Sequence, residues 1–427
     1  MKELGFTLYL LFMVSWFSHL PGRLPFLGAI RFDLILIIIL TAIIIVMSQA
    51  DEFYKTQTDT HKALKILIIY IILTVPFVAW PGSVVRFGIP NFIKGVVFYF
   101  FTVYFVNSEK KLKILIGTFI AVQSFRIFEP LYLHITEGYW GSASMMSNWE
   151  FLNRLSGAPL DIINPNGLAF VIVSVIPFFY YLASLSWKNK TIFLLTIPLC
   201  LYALTLTESR SGVIAMGAVF AGIVMKSRKK TLLTVIGIVC AVMIFVRLPY
   251  ETKMRYLSII DPTTEHSDTA RGRIEGMQRS FGVAMDRPIF GHGIGSNAEA
   301  TWNIEKWTSM SHILYGEVAI ELGYLGLIIF LFFMKSIILD FRKNIRIIKE
   351  REEENQTLLA IGNAVQVYLW MNIVFSLASY GLSSYVWFLI AGLTVVLRNL
   401  TEASYKLDEI ESEEHLAEIG MQEYSHK

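Results

Sequence analysis

His312 stands where a polar stretch, 248–311, gives way to an apolar run. An imidazole titrates near pH 6.5 and accepts a proton near neutrality, so a histidine at such a boundary is a candidate general base. Arginines occupy comparable positions. Arg210 opens the apolar run 210–226 beside Ser209, Ser211 and Gly212, and Arg271 and Arg273 begin a helical segment inside the polar stretch. A guanidinium is a planar fork that grips phosphate oxygens in two places, so a base together with several such forks points to phosphate chemistry.

Each of these residues also has a plain structural reading. His312 can be an interfacial histidine bonded to backbone, Arg210 a side chain snorkelling to the surface, and Arg273 a solvated charge with Arg271 as its equal candidate. Asn164-Pro165-Asn166 reads as a helix cap, as Asn does well, and equally as shaping a cavity. Glu321, nine residues after His312, reads either as a packing contact or as its charge partner. His292 reads as structural, with a spare base as the alternative. Arg126 and Glu129 stand three apart and pair as neighbours on one helix in a structural role. The glycines from Gly291 to Gly295 are not a dinucleotide loop, because no strand precedes them.

The elements that must position these groups are helices in a bilayer. Hydrophobic residues make up 54% and charged residues 17% of the 427, and the mean hydropathy is +0.54. A soluble core does not absorb that much apolar side chain. Runs of roughly the spanning length fall at 4–20, 32–49, 63–80, 89–107, 111–135, 163–184, 191–207, 210–226, 231–247, 312–338, 357–380 and 384–400, about twelve in all. The run 111–135 is interrupted by Arg126, Glu129 and Pro130, which predicts a broken or partly re-entrant segment. Pro21-Gly22-Arg23 follows the first run in place of a small-residue cleavage site, so that run reads as an uncleaved span.

Charge sets the orientation. With the N-terminus cytoplasmic, 22 of the 37 Lys and Arg lie inside, and 17 of those 22 are lysine. Of the other 15, 12 are arginine. Lysine suffices for topology. An arginine-rich outer face again favours phosphate. The expected organisation is an N-terminal bundle over 1–135, a periplasmic loop over 136–162, a second transmembrane domain over 163–400 that includes the periplasmic loop 248–311, and an acidic cytoplasmic tail over 401–427. Trp302, Trp307 and Tyr315 argue that the long loop is ordered near the membrane interface. Cys200 and Cys240 lie in apolar runs, which speaks against a disulfide framework or a cysteine zinc site. No basic stripe with interleaved aromatics marks a nucleic-acid surface.

The motifs, taken in order, resemble a known family. Asn164-Pro165-Asn166-Gly167 comes first. Thr205-Leu206-Thr207-Glu208-Ser209-Arg210-Ser211-Gly212 follows. Next come Gly272-Arg273-Ile274-Glu275-Gly276 and Asp286-Arg287-Pro288-Ile289-Phe290-Gly291-His292-Gly293-Ile294-Gly295. His312 and Glu321-Leu322-Gly323-Tyr324-Leu325-Gly326 close the series. Across roughly 160–330 this series is similar to the O-antigen ligase and polymerase superfamily of bacterial membrane glycosyltransferases. Ile313 departs from the Asn that often follows the histidine there.

The resemblance implies an all-α polytopic membrane fold of the GT-C-like kind in the bacterial inner membrane. It implies an undecaprenyl diphosphate-linked glycan as donor. The acceptor is lipid A–core in a ligase or another lipid-linked glycan in a polymerase, with the ligase preferred. It further implies His312 as catalytic base, Arg210 and Arg273 or Arg271 on the diphosphate, and Asn166, Glu321 and Ser209 in support. No cofactor or metal is expected, and the product is inverted. A transporter of the same glycolipids is the competing class. It predicts midplane charges on several helices and related halves, and the sequence shows neither.

Overall fold

The computed structural model describes residues 1–47, 58–141, 153–161, 163–257, 268–306, 311–350, 355–379 and 381–402, and over 268–274 only the backbone course. The described residues are all helical, with no strand. The main helices are α1 (Lys2–Ser18), α2 (Phe32–Met47), α3 (Asp59–Thr74), α4 (Ile89–Phe105), α5 (Glu109–Glu137), α6 (Pro165–Leu182), α7 (Trp187–Thr207), α8 (Arg210–Lys226) and α9 (Lys230–Arg247). Three helices of the polar stretch follow, α10 (Tyr250–Leu257), α11 (Asp268–Asp286) and α12 (Asn297–Glu305). The chain then enters α13 (Leu314–Glu350) and α14 (Gln356–Phe375), and ends in α15 over 385–402.

Among the described residues, eight helical segments are long and apolar enough to cross a membrane. The other four expected spans also coincide with helices. They are α1, α2 and α8, of 17, 16 and 17 residues, and α15. The acidic tail beyond residue 402, Trp307 and residues 142–152 and 162 of the expected loop 136–162 lie outside the described residues.

One contiguous apolar core holds the bundle. Within it, aromatic side chains of α1, α4 and α5 interlock, with Phe12, Phe17 and Phe98 at centroid distances of 5.3–5.8 Å. α14 packs against α6 and α8, and α3 packs against α13. α9 buries none of its apolar window and so presents itself to lipid. Burial here is of helix on helix, because the bilayer already solvates apolar side chains and close packing decides association.

α5 corrects an expectation. It runs unbroken from Glu109 to Glu137 with Pro130 inside it. Arg126 and Glu129 do not pair with each other. Arg126 forks onto Asp161 at 2.8 and 3.0 Å, and Arg23 forks onto Glu129 at 2.6 and 2.5 Å. Each charge inside this apolar helix therefore has a full partner from another segment, and the helix has no need to break around it. Asp161, in the loop before α6, also bonds His19 at 3.2 Å. Burial would raise its carboxyl, but the bonds and charges of His19 and Arg126 bring it down to about 2.

Candidate active site

Two helix N-termini meet at one end of the bundle. Asn164 caps α6, its Oδ1 accepting from the Gly167 N–H at 2.8 Å. Ser209 caps α8, its Oγ accepting from the Gly212 N–H at 3.1 Å. α6 and α8 pack together, so both positive helix ends open onto the same region, which favours anions. The capping Ser209 hydroxyl also donates to Asn166 Oδ1 at 2.9 Å and lies 3.1 Å from Ser211 Oγ. Arg210 opens α8 directly after this cap.

A further arginine, missed by sequence reasoning, joins Arg210. Arg154 Nε donates to the Thr207 carbonyl at 2.9 Å, and its Nη2 donates to Asn166 Oδ1 at 3.1 Å. Its guanidinium is brought down to about 10 by burial first and then by the charge of Arg255, with Glu208 opposing and Arg210 adding to the effect. Arg255, on α10, in turn reaches Glu208 at 3.9 Å, and Thr252 donates to the same carboxylate at 2.6 Å. Positive charge from Arg154, Arg210 and Arg255 is thus concentrated around one carboxylate. Nothing local marks Arg154 in the sequence, since it lies 55 residues upstream of Ser209 in a stretch without a motif.

His312 lines a cavity of about 340 Å³ next to this cluster. Asn164 and Asn166 form one wall, and Asn372, Ser376 and Ser384 form another. Asn166 therefore belongs to both places. It faces the imidazole cavity, and it accepts from Arg154 and from the Ser209 cap. His312 is exposed, whereas its neighbours Ser311 and Ile313 are buried. Ser311 N–H donates to Asn297 Oδ1 at 3.2 Å, and the Leu314 N–H donates to the Ser376 carbonyl at 3.1 Å. The backbone on both sides of the histidine is therefore anchored. Ile313 at 7% exposure is a packing residue, which accounts for the apolar side chain there.

A further carboxylate, Glu317, was also missed. It lies buried one turn past His312, and its Oε2 accepts from the N–H groups of Gly381 and Leu382 at 2.6 and 3.0 Å. It holds the turn that closes the cavity. Glu321 has a different task. It is buried, and its Oε1 accepts from the Asn297 N–H at 3.3 Å, at the start of α12. It anchors the long polar segment instead of facing the imidazole.

The glycine run explains how that segment docks. Gly323 interrupts α13 with φ 71°, which frees the carbonyls before it. The His292 N–H donates to the Ile320 carbonyl at 2.9 Å, the Gly293 N–H to the Glu321 carbonyl at 2.8 Å, and Tyr70 Oη to the Leu322 carbonyl at 2.7 Å. A Cβ on Gly291 would stand 2.4 Å from the Gly323 nitrogen, so the two glycines permit a backbone approach no other residue allows. His292 itself is buried, stacks on Trp80 at 5.5 Å, and lies 3.2 Å from the Val283 carbonyl through Nε2. Burial lowers its pKa. It is part of this joint, in line with its structural reading. Arg271 and Arg273 lie on α11, which packs along α13; their side chains are outside the described residues.

Residues 194–331 match the family model described as O-Antigen ligase. This stretch is an O-antigen ligase family domain. It contains Ser209, Arg210, the glycine joint, His312 and Glu321, while Arg154, Asn166 and the α14 wall lie outside it. The domain is shared by O-antigen ligases and polymerases, which are glycosyltransferase-type enzymes. With its apolar helices, the chain is a multi-pass membrane protein that carries this domain. No curated protein matches the chain significantly.

Proposed function

We propose that the chain transfers a glycan from undecaprenyl diphosphate to an acceptor hydroxyl, and that the acceptor is lipid A–core. The observation that carries this reading is the double membership of Asn166, which lines the His312 cavity and is bonded to both Arg154 and the cap of the helix that Arg210 opens. A base and an anion clamp that share one wall suit a displacement reaction.

His312 takes the proton of the acceptor hydroxyl. The oxygen attacks the anomeric carbon as the bond from that carbon to the diphosphate oxygen breaks. The electron pair leaves with the diphosphate, whose charge is met by Arg210, Arg154 and Arg273 or Arg271. One displacement inverts the anomeric centre. Asn166 and Ser209 keep the clamp in place, and Glu321 and Glu317 fix the segments on either side. The donor tail has a suitable groove of about 590 Å³ between α7, α8 and α9, lined by Leu204, Val213, Ile214 and Phe245 and ending at Tyr256 beside the arginines.

In this reading the chain crosses the membrane about twelve times with both termini cytoplasmic. The segment 136–162, between the N-terminal bundle 1–135 and the domain 163–400, and the segment 248–311 within that domain lie on the periplasmic face, and the tail 401–427 returns to the cytoplasm. A polymerase would use the same residues with a lipid-linked glycan as acceptor. The test is reconstituted transfer from a lipid-linked donor, offered lipid A–core and a second lipid-linked glycan in parallel. Transfer to the first alone supports ligation, and transfer to the second alone replaces it with polymerisation. Undiminished transfer in both His312→Ala and Arg210→Ala removes the mechanism.

A further inference from the structure

We propose that the opposite, lysine-rich end of the bundle carries a binding pocket for the phosphate headgroup of an anionic phospholipid, walled by α6, α7 and α8. A cavity of about 690 Å³ lies there, far along α8 from Arg210. Lys190 and Lys226 line it, together with Tyr180, Tyr181, Trp187 and Ser186. Phe193, Leu194 and Ile223 complete its apolar side.

Its polar groups are arranged for an anion from outside the chain. Lys226 Nζ donates to Asn363 Oδ1 at 2.7 Å and to Gln366 Oε1, both neutral acceptors on α14. An ammonium has three N–H groups, so one remains beyond these two. Lys190 Nζ lies 5.5 Å from the centroid of the Trp187 ring. Among the described residues neither ammonium has a carboxylate at ion-pair distance, and Lys349 adds like charge near Lys226. The Tyr181 hydroxyl is buried with no hydrogen-bond partner among the described residues. Ser186 caps α7 from the same cavity, its Oγ accepting from the Asn189 N–H at 3.2 Å, so a positive helix end opens there as well.

The apolar side identifies the source of the phosphate. Trp187 and Leu194 are 75% and 58% exposed, so the pocket opens sideways along the helix flank. A soluble phosphate makes no use of that flank, whereas a glycerophospholipid lays its first acyl carbons on it. Aromatic side chains at this level and basic hollows between helix ends are how membrane proteins hold anionic headgroups. The site is remote from His312 and stands or falls independently of glycan transfer.

The test uses the purified full-length chain, stripped of lipid in detergent, and measures binding of phosphatidylglycerol, phosphatidylcholine and glycerol 3-phosphate by native mass spectrometry and melting temperature. Phosphatidylglycerol is expected to bind in preference to phosphatidylcholine. Lys190→Gln and Lys226→Gln are each expected to weaken it about fivefold, and Tyr181→Phe by less. Equal binding of the two phospholipids, or unchanged phosphatidylglycerol binding in the double lysine variant, overturns the proposal. Binding of glycerol 3-phosphate as strong as that of the lipid overturns the lipid assignment. Should Lys226→Gln fail to fold, as judged by its lipid-free melting temperature, Lys190→Gln and Tyr181→Phe decide the matter.

Discussion

At the His312 end of the bundle, Arg23, Arg126 and Arg154 each commit at least two guanidinium nitrogens to fixed acceptors on other segments. At the opposite end, Lys111 and Lys113 each reach a single carboxylate, at 2.8 and 2.6 Å, and Lys226 leans on two amides. A fork bonded in two places fixes the distance and angle between the helices it joins, whereas an ammonium on a four-carbon stem does not. One end of the molecule therefore has a preorganised polar architecture, as a reaction site needs, and the other has charge whose exact position matters less.

The strongest challenge to this contrast is at the reacting groups. His312→Ala and Arg210→Ala are each expected to lower transfer about 10²- to 10⁴-fold at normal expression, measured in reconstituted membranes. Next is the joint that orders the same end. Asp161→Ala leaves Arg126 buried without its carboxylate and is expected to destabilise the protein by about 3–5 kcal/mol, read from denaturation in detergent. Arg154→Lys sharpens the distinction between the two cations. A lysine cannot span Thr207 and Asn166 together, so transfer is expected to fall about tenfold or more, with a much smaller change in melting temperature.

Acid probes the same joint without mutation. The Asp161 carboxyl is depressed from 3.8 to about 2, so its stabilising effect is complete above the ordinary carboxylate value and is lost as pH falls from about 4 towards 2. The expected loss is about 2 kcal/mol, visible as a falling melting temperature in wild type and absent in Asp161→Ala. The smallest effect belongs to the lysine end. Lys113 and Glu109 form a half-exposed i,i+4 pair, and Lys113→Ala is expected to change stability by less than about 0.5 kcal/mol. A large effect there would erase the contrast.

Much of the helical plan was legible in the sequence, because each apolar run is long enough to declare itself and each cap is local. Asn164 was readable as a helix cap for that reason. The break expected in α5 failed because Arg126 and Glu129 look costly only until Asp161 and Arg23 are seen beside them. Arg154 and Glu317 carried no local sign, and their importance comes from Asn166 and from the turn at 381–382. Hydropathy was equally silent on placement. α9 and α14 are both long and apolar enough to span, yet α9 buries none of its apolar stretch whereas most of that of α14 is buried.

Composition and periodicity by themselves determined that this is a helical membrane protein, and the ordered motifs determined which domain it carries. Both follow from properties that neighbouring residues hold in common: length, apolarity and spacing. Tertiary structure alone decided which arginine meets which acceptor, why Gly291 and Gly323 must both be glycine, and that Asn166 joins two sites. Those outcomes depend on segments far apart in the chain arriving within hydrogen-bond distance, and no window of sequence contains both partners.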